Sequence, residues 1–311
     1  MSEPQIAVLG SCNTDLTVAG ARLPRPGETV TGGEFYRAGG GKGANQAIAA
    51  SRAGARVSFM GRTGDDSMGR ATRQRLREDD INVNGLLADP DAHTGVALIL
   101  VDGQGENMIS VAPGANHRIT PGDVKDRAEI IGRSAVLLVQ LELPLDAVEA
   151  ALSVADAHDV LVVMDPAPVP EGGLPDRVVR GVDVLTPNEQ EARQLAGCDE
   201  DATGRSAAAA LLETGAGSVA VTLGEDGVLL AQQDGIESLS GAAADPVDTV
   251  GAGDCFAGVL AVGLAEGKSL RESAELAVCA AALSTETQGA QPAMPSRETI
   301  DERYKSQNMK P

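Results

Sequence analysis

The segment Asp248-Thr249-Val250-Gly251-Ala252-Gly253-Asp254 runs into an apolar stretch with helical spacing. Four consecutive backbone N–H groups, Gly251 to Asp254, can then face one point at the positive end of a helix. Such a point is an anion hole, suited to a phosphoryl group that gathers charge during transfer. Asp254 has two readings. As a helix N-cap it satisfies orphan donors and contributes about 1 kcal/mol. As a general base it takes the proton of an attacking hydroxyl, which typically contributes roughly 10²–10⁴ in rate.

A second glycine-rich run is Gly39-Gly40-Gly41-Lys42-Gly43-Ala44-Asn45-Gln46. Gly-rich turns that open a helix present backbone N–H groups to a ligand. A Walker A loop fails, because Gly43 stands where Ser or Thr must follow the Gly-Lys pair. A dinucleotide fingerprint is formally met by Gly39, Gly41 and Ala44. It should follow the first strand and lead to an acid about 20 residues on. Here it follows an inserted β segment, and the next strand, Arg56 to Met60, ends without an acid. The remaining readings are a backbone-lined sugar site, with Lys42 and Asn45 as its polar groups, and a plain helix entry.

Other candidates carry weaker signals. Asn188 followed by Glu191 fits a capping box. The same pair at the C-terminal edge of a sheet suits Mg²⁺ and nucleotide phosphates. Thr222-Leu223-Gly224-Glu225-Asp226-Gly227 is a strand end and turn. Asn13 and Asp15 follow the first strand, in a place that suits sugar hydroxyls and ordinary polar loops equally. Glu142 closes the apolar run Ala135 to Leu141, so its charge must reach solvent or a ligand. His93, His117 and His158 are scattered, with no metal spacing and no elbow motif.

Elements that must position these groups alternate along the chain. Strands are expected at Ile6 to Leu9, Arg56 to Met60, Ala135 to Leu141, Val160 to Met164, Val182 to Leu185 and Ser218 to Leu223. Helices are expected at Gly43 to Ala53, Gly69 to Asp79, Leu145 to Ala157, from about Glu189, at Ala207 to Glu213, Asp254 to Glu266 and Leu270 to Thr285. The pattern is α/β: a three-layer, doubly wound, mostly parallel sheet. Thr29 to Arg37, and Thr94 to Val101 with Asn107 to Val111, break the rhythm. The last two are joined by Asp102-Gly103-Gln104-Gly105, a hairpin signal. They read as a small antiparallel β lid, inserted at about 14–41 and 93–113 into one domain of residues 1–311. The polar last fifteen residues read as a fraying helix.

The chain of 311 residues has 25 basic and 45 acidic side chains, a net charge of −20, and a pI near 4.5. That excess acid argues against nucleic acids and anionic membranes as partners. Cys12, Cys198, Cys255 and Cys279 have neither zinc nor disulfide spacing, so reduced thiols in a cytoplasm are expected. No basic, apolar leader opens the sequence, and no apolar run approaches the ~20 residues of a membrane span.

Taken in order, these segments resemble the phosphofructokinase-B family of sugar kinases, and within it the ribokinase-like branch. The resemblance runs from Val8 to about Pro295. It rests on Gly10-Ser-Cys-Asn-Thr-Asp15, Pro26-Gly-Glu-Thr-Val30, Gly40-Gly-Lys-Gly-Ala-Asn-Gln46, Thr94-Gly-Val-Ala-Leu98 and Gly105-Glu-Asn107. It continues through Gln140-Leu-Glu142, Thr186-Pro-Asn-Glu189, Thr222-Leu-Gly224, Asp248 to Asp254 and Gly289-Ala-Gln-Pro292. It implies transfer of the ATP γ-phosphoryl group to the 5-hydroxyl of ribose, or of a related sugar or nucleoside. Asn13, Asp15, Gly41, Lys42, Asn45 and Glu142 would hold the sugar, with Asp254 as base. Gly251, Ala252 and Gly253 would form the anion hole. Asn188, Thr222, Gly224 and Gly227, with Gly253, would line the ATP site, and Glu191 would meet Mg²⁺ through water. A monovalent cation, K⁺, would lie among Asp248, Val250, Ser284, Thr287, Gly289 and Ala293. The last has no hydroxyl where many relatives have serine. A homodimer formed through the lids is also expected.

Overall fold

The computed structural model describes residues 3–308; Met1, Ser2 and the last three residues lie outside them. Nine strands form the main sheet. They are β1 (Gln5–Leu9), β4 (Arg56–Gly64), β5 (Asn82–Asp89), β8 (Val136–Gln140), β9 (Leu161–Asp165), β10 (Val184–Leu185), β11 (Ser218–Thr222), β12 (Val228–Gln232) and β13 (Gly235–Leu239). Their spatial order is β13-β12-β11-β10-β9-β8-β1-β4-β5. Every pair from β11 to β5 is parallel, and the β11/β12 and β12/β13 pairs are antiparallel. The chain starts in β1, adds β4 and β5 on one side, and then returns to build outward from β8 on the other.

The central strands are apolar along their whole length because helices cover both faces. Val136, Leu137, Leu138 and Val139 of β8 are fully buried, and alternate residues feed opposite layers. Leu138 joins Val8, Ile48 and Leu260 in one core; Leu137 joins Leu9, Val148 and Leu211 in the other. With few aromatic residues in the sequence, these cores are Ala, Val, Leu and Ile.

The second sheet holds β2 (Asn13–Ala19), β3 (Glu34–Gly40), β6 (Gly95–Val101) and β7 (Asn107–Ala112), in the order β3-β2-β6-β7. Two antiparallel pairs, β2/β3 and β6/β7, meet along a parallel β2/β6 seam.

Two local readings change. Asn13 and Asp15 are on strand β2, not in a loop: the chain re-enters a sheet after three residues. Thr29 to Gly33 is not strand, and β3 runs from Glu34 into the glycine run itself. The sequence also hides β5 and the β12/β13 hairpin. Arg297–Asn308 is helical, and the end of the expected C-terminal helix lies outside the described residues.

Candidate active site

Parallel strands deliver their C-terminal ends in a row. Moving across β1, β8, β9, β10 and β11, those ends supply Asn13, Glu142, Asp165, Asn188 and Thr222 in turn. A crevice beyond the carboxyl ends, next to the strand where winding reverses, is where open α/β sheets bind ligands.

Two helices close the row from above. The Lys42–Arg52 helix starts at Gly41 and the Ala252–Ala265 helix at Gly251, both with positive φ and neither with a side-chain cap. The two starts differ in use. At the first, Lys42 N–H donates to Glu142 Oε2 at 3.1 Å and Ala44 N–H to Ser11 O at 2.9 Å. Its donors are therefore consumed inside the protein. At the second, Gly251 has φ 81°, and a Cβ there would meet Ala290 Cβ at 2.7 Å. Glycine is thus required both for the turn and for the close approach. Ala252 N–H turns to Thr249 O at 3.2 Å, which occupies one of the four donors expected to face an anion. Gly253 and Asp254 stand in the first turn, where N–H groups lack helical partners.

Asp254 is not the cap of its helix. It is the third helical residue, 6% exposed, and its carboxylate points across to the other helix. Asn45 Nδ2 donates to Oδ2 at 2.8 Å and Gln46 Nε2 to Oδ1 at 3.1 Å. Lys42 Nζ lies 4.0 Å from Oδ1. Burial pushes the Asp254 pKa up; Lys42, Asn45 and Gln46 draw it down, Glu142 adds to the rise, and the net shift is upward. A carboxylate moved toward neutral pH but still met by donors has the character of a general base.

Asp165, unrecognised from the sequence, sits at the middle of the row. Lys42 Nζ donates to its Oδ2 at 3.1 Å, and Gln46 Nε2 donates to the same atom at 2.8 Å. Burial, opposed by Lys42 and reinforced by Asp254 and Glu191, raises its pKa to about 7. Burial works against the Lys42 charge, but Asp165, Asp254 and Glu191 outweigh it and its pKa is raised. One ammonium thus serves two buried carboxylates. The signal was available: Asp165 ends the apolar run Leu161 to Met164 just as Glu142 ends Ala135 to Leu141.

At the lid end, Glu142 accepts from Ser11 Oγ as well as from Lys42 N–H. Buried Asn13 has its Oδ1 met by Asn116 Nδ2 at 2.7 Å, and Asn116 Oδ1 accepts from Cys12 N–H at 3.0 Å. Asn116 is a second residue that no spacing marked. Asp15 is half-buried on β2; burial and the neighbouring Glu142 raise its pKa to about 6, against the pull of Arg75. A carboxylate and amides around a glycine-rich turn are the groups that take sugar hydroxyls.

At the other end, Asn188 and Glu191 form the capping box of the Glu189–Leu195 helix, with both bonds at 2.8 Å. The Glu191 charge nevertheless raises the pKa of both Lys42 and Asp165. Asn188 also bridges to Thr222, and the turn after β11 places Gly224 and Gly227 at positive φ. The dinucleotide fingerprint falls: Gly39 and Gly40 end β3 and Gly41 follows it, so the run does not follow β1.

The loop before the second helix is tied to a later one. Asp248 accepts from Val250 N–H at 3.0 Å and from Gly289 N–H at 2.8 Å, and Thr285 O accepts from Val247 and Asp248. Asp248, Val250 and Gly289 are thereby adjacent. Ser284 is buried and donates to Ala281 O at 2.7 Å; Ala293 is buried and Thr287 exposed.

The whole chain has relatives. A ribokinase of Haemophilus influenzae is 36% identical over 299 residues, covering 95% of this chain and 97% of that protein. A deoxyribokinase of Salmonella typhi is 33% identical, covering 96% and 97%. The structure of Arabidopsis thaliana ribokinase complexed with ribose and ATP superposes with a TM-score of 0.91 at 31% identity, over 98% of this chain and 99% of that one. The model of the pfkB family carbohydrate kinases matches residues 3–297, which take in both helix starts, the row of strand ends and the lid. With fold, cleft and family model in agreement, this chain belongs to the pfkB carbohydrate kinase family.

Proposed function

We propose that the protein is an ATP-dependent ribokinase, moving the γ-phosphoryl group to the 5-hydroxyl of D-ribose to give ribose 5-phosphate. One observation carries the reading: a buried, donor-held carboxylate, Asp254, stands in the first turn of an uncapped helix. A hydroxyl's base and a phosphoryl anion's donors thus share one spot. The sugar occupies the Asn13, Asp15, Gly41, Asn45 and Glu142 end, and ATP the Asn188, Thr222, Gly224 and Gly227 end. Asp254 takes the proton from the hydroxyl, while the helix start at Gly251, Ala252 and Gly253 faces the transferring group, the Ala252 N–H being held by Thr249 O until the anion arrives. Lys42 supplies positive charge where the two substrates meet. Closure of the lid excludes water and so guards ATP against hydrolysis. Residues 1–311 act as one kinase unit, with insertions at about 14–41 and 93–113 as its lid.

The cleft's donors also fit two cations. Glu191, whose carboxylate acts on Lys42 and Asp165, would hold Mg²⁺ through water; when bound, Mg²⁺ neutralises charge on the phosphates. The joined loops at Asp248, Val250, Ser284, Thr287, Gly289 and Ala293 offer hard oxygen donors for K⁺, from backbone and one carboxylate; Ala293 offers only its carbonyl. A coupled ADP-release assay over ribose, deoxyribose, fructose and nucleosides, with and without K⁺, tests the whole reading. Ribose should give the highest kcat/KM. A nucleoside, fructose or deoxyribose outpacing it would assign another kinase of this scaffold. Equal rates without K⁺ would remove the second cation.

The lid supports a homodimer. By register, Leu16, Val18, Phe35, Leu98, Leu100 and Met108 share the sheet face opposite Asp15. Phe35 is 66% exposed and Leu98 55%. Contiguous exposed apolar surface of this kind marks an interface, and a second copy of the same face is its natural cover. Leu98→Asp would put two carboxylates into it and weaken association at least about tenfold, read by sedimentation; an unshifted dimer would refute the interface. No helix among the described residues is long and apolar enough to cross a membrane. The four cysteines have no disulfide spacing, which suits a reducing cytoplasm, where we place the enzyme.

A further inference from the structure

An ionised carboxylate only accepts hydrogen bonds. Asn45 and Gln46 must therefore turn their NH₂ groups toward Asp254, which leaves their carbonyl oxygens facing away. Each of those oxygens meets a second amide. Gln140 Nε2 donates to Gln46 Oε1 at 2.5 Å, and Gln291 Nε2 donates to Asn45 Oδ1 at 3.0 Å. Two amide chains thus converge on the two oxygens of one carboxylate: Gln291 to Asn45 to Oδ2, and Gln140 to Gln46 to Oδ1.

The outer glutamines share further features. Gln140 ends β8 and is fully buried; Gln291 lies in the short helix Ala290–Ala293 and is 5% exposed. Neither's own Oε1 has a partner, among the few such buried atoms of the described residues. A buried acceptor left unmade is a standing cost. It is incurred twice, in the same orientation, with nitrogen inward. Each Oε1 also lies where a neighbouring glycine lacks a side chain: a Cβ on Gly10 would collide with Gln140 Oε1, and one on Gly39 with Gln291 Oε1. Filling the core requires none of this. Fixing the direction of two amides does, because amide O and N are nearly isosteric and free amides flip.

We propose that Gln140 and Gln291 are positioning residues, which lock Gln46 and Asn45 so that both oxygens of Asp254 always meet N–H donors. Without its outer partner, an inner amide can rotate and oppose oxygen to oxygen. The carboxylate would then leave its place and gain protons more readily. The charged groups facing Asp254 are Lys42 from the Lys42–Arg52 helix, Asp165 from β9, Glu142 beyond β8 and Asp15 from β2. They are unchanged by either substitution.

This rests on Asp254 being the base, and the test separates the two ideas. Gln140→Met and Gln291→Met keep shape and remove donation. Each should lower kcat about tenfold or more with the KM for ATP within about twofold. The acid limb of kcat/KM should move to higher pH. Folded variants with unchanged kcat and acid limb would overturn the proposal. Gln140→Glu adds a signature that packing cannot mimic. Its carboxyl donates only while protonated, so its activity should fall as pH rises, where the parent's rises; a parallel profile would count against the relay. Should the variants not fold, the side-chain NH₂ signals of Asn45 and Gln46 in the ¹⁵N-labelled parent decide. Slow proton exchange supports the relay, and exchange at the rate of exposed amides overturns it. If Asp254→Asn retains turnover, the base falls and the relay with it. If Asp254→Asn is inactive while the glutamine variants are normal, only the relay falls.

Discussion

Asp254→Asn should lower kcat by roughly 10²–10⁴ while the protein still folds and binds ribose. The substitution keeps the size of the side chain and removes its capacity to accept a proton. Binding should survive because, of the other groups proposed to hold the sugar, Asn13 and Glu142 have partners of their own and Asp15 lies under the charge of Arg75. Folding should survive too, for an electrostatic reason. Burial raises the Asp254 pKa in the folded state, so the folded protein binds the proton more tightly than the unfolded chain does. The parent therefore loses stability as pH rises from the ordinary carboxylate range toward the raised value. The Asn variant lacks that loss and should be no less stable at neutral pH. Coupled ADP release, calorimetric titration with ribose and a melting curve measure the three parts. Near-normal turnover would remove Asp254 from the chemistry.

Lys42→Met should be the other severe change, and it should damage both stability and activity. Lys42 Nζ is 3.1 Å from Asp165 and 4.0 Å from Asp254, and it draws both carboxylate pKa values down. Breaking a buried pair typically costs 3–5 kcal/mol; with 30% of the Lys42 side chain exposed, about 3 kcal/mol is expected. The loss must depend on pH. Without the ammonium, both folded-state pKa values rise further above the unfolded ones, so stability should decline with pH over a wider window than in the parent. Near pH 7, where Asp165 already titrates, that carboxylate would take up a proton, and the Asp254 pKa would move further in the same direction. Asp254 would then be a poorer base, and kcat/KM should fall about 100-fold, with partial recovery at higher pH. Denaturant titrations between pH 5 and 9, paired with rate profiles, test this. A stability difference that is flat across that range would show that Lys42 does not hold the carboxylates.

Much of the site was legible where the chemistry lies in contiguous residues. Gly40 to Gln46 and Gly251 to Asp254 are local motifs whose glycines and polar groups act within one turn. The alternation of apolar runs and helical stretches likewise announced the parallel sheet. What stayed hidden is held by pairs distant in sequence: Gln46 with Asp165 is 119 positions apart, and Asn45 with Gln291 is 246. No spacing rule reaches that far. Some omissions were avoidable. Val228 to Gln232 and Gly235 to Leu239 flank Gln233-Asp234, and Asp-Gly between apolar runs is a hairpin signal. Strand β2 was obscured because its polar residues, Asn13, Thr14, Asp15 and Thr17, mimic a loop while serving the cleft and the seam with β6.

The three residues between β1 and β2 bear on how such enzymes can be redesigned. Gly10 makes room for Gln140, Ser11 bonds Glu142, and Cys12 is bonded through its backbone to Asn116. The lid is therefore not a detachable module hung on a neutral hinge. Its stem is made of contacts that also shape the end of the cleft proposed to hold the sugar. A graft exchanging only β2, β3, β6 and β7 with a relative would replace Asn13, the partner of Asn116, while leaving a stem fitted to the old lid. Altering sugar preference in this scaffold thus calls for transplanting stem and lid together with the ends of β1 and β8.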